Sequence, residues 1–314
     1  MRVVSAAEID SALDFTSLIE ALRNAFRAEI ETPLRHGHPI ARPDGEATLL
    51  LMPAWTQEKE GAFLGTKIVT VFPGNLKKGL GSVAGTYLLM SGDTGEPLVT
   101  IDGHRLTLWR TAAASALAAR YLAREDASDL VLIGAGALAP YLARAHAAVR
   151  PIRKVSIWNR SAPRAEALAK ELSREKFSIE VVSDAERAVR GADIVSCATL
   201  STEPLVEGAW LKQGAHLDLV GGFRPVMREA DDEAVKRARV YVDTRSGALK
   251  EAGDLVIPIS RGVFREADVQ GDLFDLCRGT AKGRLTPDEI TLFKSVGTAI
   301  EDLAAAMLVW RKLG

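Results

Sequence analysis

The stretch Leu130–His146, "LVLIGAGALAPYLARAH", constrains what this chain can fold into more than any other. A short apolar run ends in Gly134-x-Gly136-x-x-Ala139 and passes directly into a helical pattern. That order means a strand, a tight turn and a helix N-terminus. The first glycine permits the turn, the second lets a pyrophosphate approach the backbone, and the small third residue lets the helix pack on the strand. The helix start offers N–H groups to phosphates, and Pro140 falls in the first turn, where a missing N–H does little harm. The motif predicts a dinucleotide site at Gly134, Gly136, Ala137 and Leu138. The alternative is a turn that only packs.

The surrounding sequence supports a strand–helix alternation from Ser128 onward. Short apolar runs recur at Leu130–Ile133, Val155–Trp158, Ile179–Val182, Ile194–Cys197, Leu217–Val220 and Val240–Val242, with helical stretches between most of them. Continuous apolar strands are buried on both faces, so a mostly parallel sheet is expected. The first third reads differently. Ser5 and Glu8 form a capping-box pattern, and Phe15, Leu18, Ile19, Leu22, Phe26 and Ile30 repeat at helical spacing. Strands are predicted at Ala47–Met52, Gly65–Phe72, Val83–Met90 and Pro97–Ile101, the last two joined as a hairpin through "SGDTGEP". An Ala-rich helix follows over about His104–Arg124. Two helical segments, about Pro287–Phe293 and Gly297–Lys312, are expected to close the chain. With 314 residues the chain exceeds what a single core usually holds, so two domains are expected.

A formal net charge of −1 argues against nucleic acid or an anionic membrane as partner. No apolar run approaches the roughly 20 residues of a membrane span, and the N-terminus lacks a signal-peptide pattern. Cys197 and Cys277 form neither a metal-type cluster nor a disulfide framework and fit a reducing cytoplasm. His36 and His38 lack a third ligand at useful spacing, so no metal site is expected.

Cofactor choice rests on the tip of the second nucleotide-domain strand. An acidic residue there normally holds the ribose 2′-hydroxyl. Here the tip reads Asn159-Arg160-Ser161, with Arg164 one turn on. Arginine can pair with a 2′-phosphate that a carboxylate would repel. NADPH is therefore favoured, with NADH possible. The alternative is that both arginines are solvated charges. In the first third, Lys67 alternates with Val69 and Val71 on one strand face, and Arg110 sits in a helix of small and apolar residues. Lysine is almost never fully buried without a partner. Each cation therefore either faces an anion or snorkels to the surface.

These residues lie in stretches that resemble the ornithine cyclodeaminase/μ-crystallin family over essentially the whole chain. The stretches are "TPLRHGHP", "LLLMPAW", "GTKIVTVFPGN", "LTLWRTAAASALAA", "LIGAGALA", "IWNRS", "VGGFRPVMREADDE" and "FKSVGTAIEDLAAA". The resemblance implies an α/β fold in which a Rossmann-type NAD(P)-binding domain, 121–297, accompanies a second, α+β domain. That second domain, 1–120 plus 298–314, would bind substrate, mediate homodimerisation and be completed by the C-terminal helix. It implies that Arg35, Lys67 and Arg110 hold a substrate carboxylate. Ser82, Thr199, Val220, Ser295 and Val296 would complete the cofactor contacts.

In the family's ornithine cyclodeaminases, the residue after the glycine pair is an aspartate that serves the substrate amino group. Here that position is Phe223, which can neither accept nor donate a proton. The expected activity is accordingly an NAD(P)H-dependent reduction of a small cyclic imino acid, in the manner of the family's ketimine reductases. Δ1-Pyrroline-2-carboxylate would give L-proline, and Δ1-piperideine-2-carboxylate would give L-pipecolate. Lys67 would supply or relay the imine proton, and Phe223 would wall the ring unless it is merely packed at a strand end. The alternatives are ornithine cyclodeaminase, an alanine dehydrogenase-like enzyme and a crystallin-like NADPH-binding protein.

Overall fold

The computed structural model of the protein describes residues 1–43 and 45–314. Two compact units emerge, Met1–Arg110 with Thr298–Gly314, and Thr111–Gly297. The sequence placed the division at 120/121, near the end of the helix within which the units divide.

The first unit opens with β1 (Arg2–Val4), α1 (Ala6–Ala12) and α2 (Phe15–Arg27). Its sheet continues through β2 (Ile30–Glu31), β3 (His36–Ile40), β4 (Ala47–Thr56), β5 (Phe63–Val71), β6 (Val83–Ser91) and β7 (Pro97–Asp102), and α3 (Gly103–Leu122) begins at its end. The expected capping box forms at Ser5: Glu8 Oε2 accepts from the Ser5 amide at 2.8 Å, and Ser5 Oγ accepts from the Glu8 amide at 3.4 Å. The helical period on α2 buries Phe15, Leu18, Ile19, Leu22 and Phe26. Ile30, which continued that period in the sequence, instead starts β2. The strands order as β1-β7-β6-β5-β4-β2, with β3 also paired to β4. The hairpin across Ser91–Pro97 is present, with β6 and β7 antiparallel. Lys67 on β5 stands opposite Met52 on β4 and Tyr87 on β6. The C-terminal helix, Ala299–Leu313, packs on β4, β5 and β6.

The second unit is built on eight parallel strands. They are β8 (Asp129–Ile133), β9 (Lys154–Trp158), β10 (Ser178–Val181), β11 (Ile194–Cys197), β12 (His216–Leu219), β13 (Arg239–Val242), β14 (Gly271–Asp272) and β15 (Thr291–Lys294). Their order is β10-β9-β8-β11-β12-β15-β13-β14. The chain thus runs outward from β8 in one direction and then from β11 in the other. This reversal is the switch point beside which doubly wound sheets bind ligands. The helices are α4 (Ala139–Val149), α5 (Ala162–Leu172), α6 (Ala185–Gly191), α7 (Asp232–Arg237), α8 (Arg245–Glu251), α9 (Gly253–Ser260) and α10 (Leu273–Arg278).

One expectation fails here. The segment read as a helix over Pro287–Phe293 instead supplies β15, inserted between β12 and β13. A four-residue buried run carries too little periodicity to separate strand from helix. Its terminal Lys294 looks like a surface residue in the sequence, yet it is fully buried and lies 3.0 Å from Asp254. A second polar cluster crosses the sheet at Asp218 on β12. It accepts from Ser196 at 2.6 Å and from Ser115 of α3 at 2.9 Å, and lies 3.3 Å from His146 of α4. Among the described residues no helix is long and apolar enough to cross a membrane.

Candidate active site

In the first unit, Lys67 points from β5 into the interior and is only 5% exposed. A lysine so buried needs an acid, and the C-terminal helix provides it. Lys67 Nζ lies 3.2 and 3.4 Å from the two carboxylate oxygens of Asp302. Arg110, near the middle of α3, forks between two acids: its Nε donates to Asp302 at 3.0 Å and its Nη1 to Glu301 at 2.6 Å. The structure therefore brings together two of the three expected carboxylate-binding cations. Arg35, half-buried between β2 and β3, is close enough to push the Lys67 ammonium toward neutrality. Lys67 is held down at about 8, chiefly by burial; Asp302 pulls it up, while Arg110 and Arg35 push it down. Among the described residues, Arg35, Lys67 and Arg110 thus gather around the carboxylates of Asp302 and Glu301. His36 and His38 lie exposed on β3.

Glu301 and Asp302 were missed from the sequence. Their signal was present: an acid pair in the first turn of the helix "AIEDLAAAMLVW", whose other residues are nearly all small or apolar. Acids near a helix N-terminus read as ordinary dipole partners, and that reading hid them.

In the second unit, Gly134 directly follows β8 with φ of +108°, and its amide donates to the Trp158 carbonyl at 2.9 Å. A Cβ there would come 2.9 Å from both the Ala198 carbonyl and the Thr199 methyl, so the turn lies tight against the loop after β11. Gly136 differs: a Cβ there would meet no protein atom within 4 Å. Protein packing does not require glycine at that position, whereas a close ligand would. Among the described residues none accepts from the amides of Gly136, Ala137 or Leu138, at the start of α4. These donors suit a pyrophosphate. Asn159 braces the turn: its Oδ1 accepts from Ala135 at 3.1 Å and its Nδ2 donates to the Ser161 carbonyl at 2.9 Å. Arg160, Ser161 and Arg164 are exposed at the tip of β9 and the start of α5. Ser161 takes the N-cap position of α5, but its side chain makes no capping bond.

The loops after β11 and β12 are tied by one carboxylate that the sequence reading did not pick out. Glu229 Oε1 accepts from the Thr199 amide at 2.6 Å and its hydroxyl at 2.8 Å; Oε2 accepts from the amides of Gly221 at 2.7 Å and Gly222 at 3.3 Å. Burial, with Asp254 adding to it, pushes Glu229 up to about 7 against the pull of Lys294 and these donors. Val220 is bonded to Cys197, Ser295 to Leu219, and Val296 to Asp243 at 2.7 Å, so the expected cofactor residues at these strand ends are held by the sheet and its flanks. Ser82 precedes β6, where its carbonyl accepts from Phe72 at 2.7 Å. Phe223 is 38% exposed beyond the glycine pair, with the Arg224 guanidinium 5.8 Å from its ring centre.

The sequence profile of the ornithine cyclodeaminase/mu-crystallin family matches residues 1–313. The chain belongs to that family. It is 38% identical to the Δ1-pyrroline-2-carboxylate reductase of Colwellia psychrerythraea, over 100% of this chain and 99% of the relative. Among solved structures it resembles the Thermococcus litoralis Δ1-pyrroline-2-carboxylate reductase in complex with NADH and L-proline. The TM-score is 0.93 at 35% identity, covering 99% of this chain and 97% of the other. An archaeal alanine dehydrogenase dimer with bound NAD superposes with a TM-score of 0.90 at 30% identity, covering 99% and 95%. The family's fold, with a Rossmann-type domain and an α+β unit completed by the C-terminal helix, is the fold described above.

Proposed function

We propose that this protein is an NAD(P)H-dependent reductase of cyclic α-imino acids, converting Δ1-pyrroline-2-carboxylate to L-proline and accepting the six-membered homologue as well. The buried Lys67–Arg110 cluster carries the reading. Two buried cations, with Arg35 close enough to act on Lys67, offer a cationic site for one substrate carboxylate. Similarity to reductases of this substrate supports it. A reduced nicotinamide supplies hydride when bound. Arg35, Lys67 and Arg110 hold the carboxylate and so fix which face of the imine is presented, a positioning role. Their field also draws electrons from the imine carbon. Lys67, already poised near neutrality, furnishes the imine proton. The unit Met1–Arg110 with Thr298–Gly314 takes the substrate, and Thr111–Gly297 takes the nucleotide.

The deciding assay follows cofactor oxidation on a panel of cyclic imino acids. Turnover of Δ1-pyrroline-2-carboxylate is expected, and its absence at any cofactor concentration would remove this function. The lyase alternative is read from the same preparation. With L-ornithine and NAD+, no ammonia above background is expected, because Phe223 cannot handle the amine proton. Robust ammonia release would show that another residue does.

NADPH is the proposed cofactor, through Arg160 and Arg164 around the 2′-phosphate. Arg160→Ala is expected to weaken NADPH binding by roughly 1–3 kcal/mol, the range of a charge-assisted contact, and to leave NADH binding nearly unchanged. Equal affinity of the unmutated protein for both cofactors in calorimetry would refute the preference.

A homodimer is also proposed. On the sheet face opposite Lys67 and Tyr87, Leu51, Trp55, Leu64, Ile68 and Leu88 are half-buried apolar side chains. Such a face suits a second copy of the chain. The buried free cysteines Cys197 and Cys277 agree with a cytoplasmic location.

A further inference from the structure

We propose that Asp302 is the positioning residue for proton delivery. Its buried carboxylate holds the Lys67 ammonium by its protons and leaves at least one proton free to be aimed at the substrate's imine nitrogen. The inference rests on the reductase reading above.

An ammonium has three donors. Both Asp302 oxygens lie within 3.4 Å of Lys67 Nζ. Among the described residues Asp302 is its only acceptor, so two protons at most are engaged. Asp302 cannot swing away to follow Lys67. It is 0% exposed, sits in the first turn of the C-terminal helix, and is held from its other side by Arg110 Nε at 3.0 Å. The lysine is thus fixed at the end of a rigid arm rather than left to wander, which is what delivery of a proton to one atom demands.

The charged and titratable groups around Lys67 come from every neighbouring element. Asp302 and, through Arg110, Glu301 face it from the C-terminal helix. Arg110 comes from α3, Tyr87 from β6 and Arg35 from the segment before β3. On β4 its opposite number is the uncharged Met52. Of these, Asp302 favours the protonated lysine most, whereas Arg110 and Arg35 oppose it. Asp302 therefore has a second effect besides geometry: it keeps Lys67 loaded in the presence of two other cations.

The step balances. Hydride adds to C2 of the imine from the reduced cofactor, the C=N π pair moves onto nitrogen, and nitrogen takes the proton from Lys67. The products are the secondary amine and the oxidised cofactor, and the neutral Lys67 regains a proton from water. Because Lys67 must be protonated to act, kcat/KM, which reports the free enzyme, should fall as pH rises through about 8.

The test is the pH profile of kcat/KM for the wild type, Asp302→Asn and Asp302→Glu on Δ1-pyrroline-2-carboxylate. Removing the carboxylate lowers the lysine pKa. The alkaline fall of Asp302→Asn should therefore move to lower pH by about one pH unit, and kcat should drop at least about tenfold, a typical share for a positioned acid. Asp302→Glu restores the charge and should return the alkaline limb toward the wild-type position. A merely structural Asp302 would lower activity or stability without moving the limb, and an unmoved limb overturns the proposal.

A second readout needs no turnover. The Lys67 side chain is titrated by NMR on 13Cε-lysine protein, its resonance assigned by its loss in Lys67→Arg. In the wild type this titration should coincide with the kinetic limb, and in Asp302→Asn it should move down. If the wild type reduces no imino acid but the titration still shifts, the reductase reading fails while the Asp302–Lys67 coupling stands. If Asp302→Asn does not fold, a wild-type lysine titration away from the kinetic limb is sufficient to overturn the proposal.

Discussion

Arg110→Ala should lower kcat/KM for Δ1-pyrroline-2-carboxylate by about a hundredfold or more, and should destabilise the protein by about 3–5 kcal/mol. Two separable effects are involved. Catalysis suffers because one of three cations for the carboxylate is gone. Stability suffers because Arg110 is the fork between Glu301 and Asp302, consecutive carboxylates that are both fully buried. Without it, Asp302 keeps Lys67, but Glu301 loses its 2.6 Å contact with a buried guanidinium. The double variant Arg110→Ala with Glu301→Gln removes one of the stranded charges. It should recover part of the stability lost, read by denaturant midpoint, yet none of the catalytic loss. Wild-type kinetics in Arg110→Ala would show that this arginine faces no substrate. A double variant no more stable than the single would show that the stranded carboxylates were not the cause.

The legibility of this chain divides along physical lines. The nucleotide unit was readable because its signals are local. A glycine turn after an apolar strand occupies about ten residues, and each parallel strand declares itself as a buried run. The exception, β15, is the strand whose four residues carry no period and end in a lysine. Charge at a strand end suggests solvent, and only the fold supplies Asp254 to neutralise it. The Lys67–Arg110 cluster was half legible. Lys67 and Arg110 stood out as cations in apolar surroundings. Their partners did not, because Asp302 lies 235 residues from Lys67 along the chain and joins it only through the return of the C-terminal helix. Long-range pairing of this kind leaves no spacing to read. Glu229 was hidden for a related reason. It lies seven and eight residues from the glycine amides it binds and thirty from the Thr199 amide, and one acid among the four of "VMREADDE" resembles a solvated charge.

The glycine pair of "LVGGFRP" supplies the other large effect. Gly221→Ala should destabilise the protein by about 3 kcal/mol or more, at or beyond the usual range for overpacking, and should abolish tight dinucleotide binding. The glycine is needed for space, since its φ does not lie in the left-handed region. A Cβ at Gly221 would fall 2.0 Å from the Thr199 carbonyl oxygen, 2.2 Å from the Thr199 nitrogen and 2.6 Å from Glu229 Oε1. Two of those three are backbone atoms, so no rotamer change relieves the clash. The loop after β11 cannot retreat either, because Glu229 holds both Thr199 and the Gly221 amide within 2.8 Å. Relief requires breaking that carboxylate's contacts, which strands a buried acid and moves the strand ends beside the switch point. Gly136→Ala is the matched control. Its Cβ meets no protein atom within 4 Å, so the melting temperature should hold while dinucleotide affinity falls through crowding of the pyrophosphate. Calorimetric cofactor titration and thermal melts on both variants separate the two roles. A Gly221→Ala protein with wild-type melting and affinity would mean that the loops after β11 and β12 are free to part and that Glu229 does not tie them.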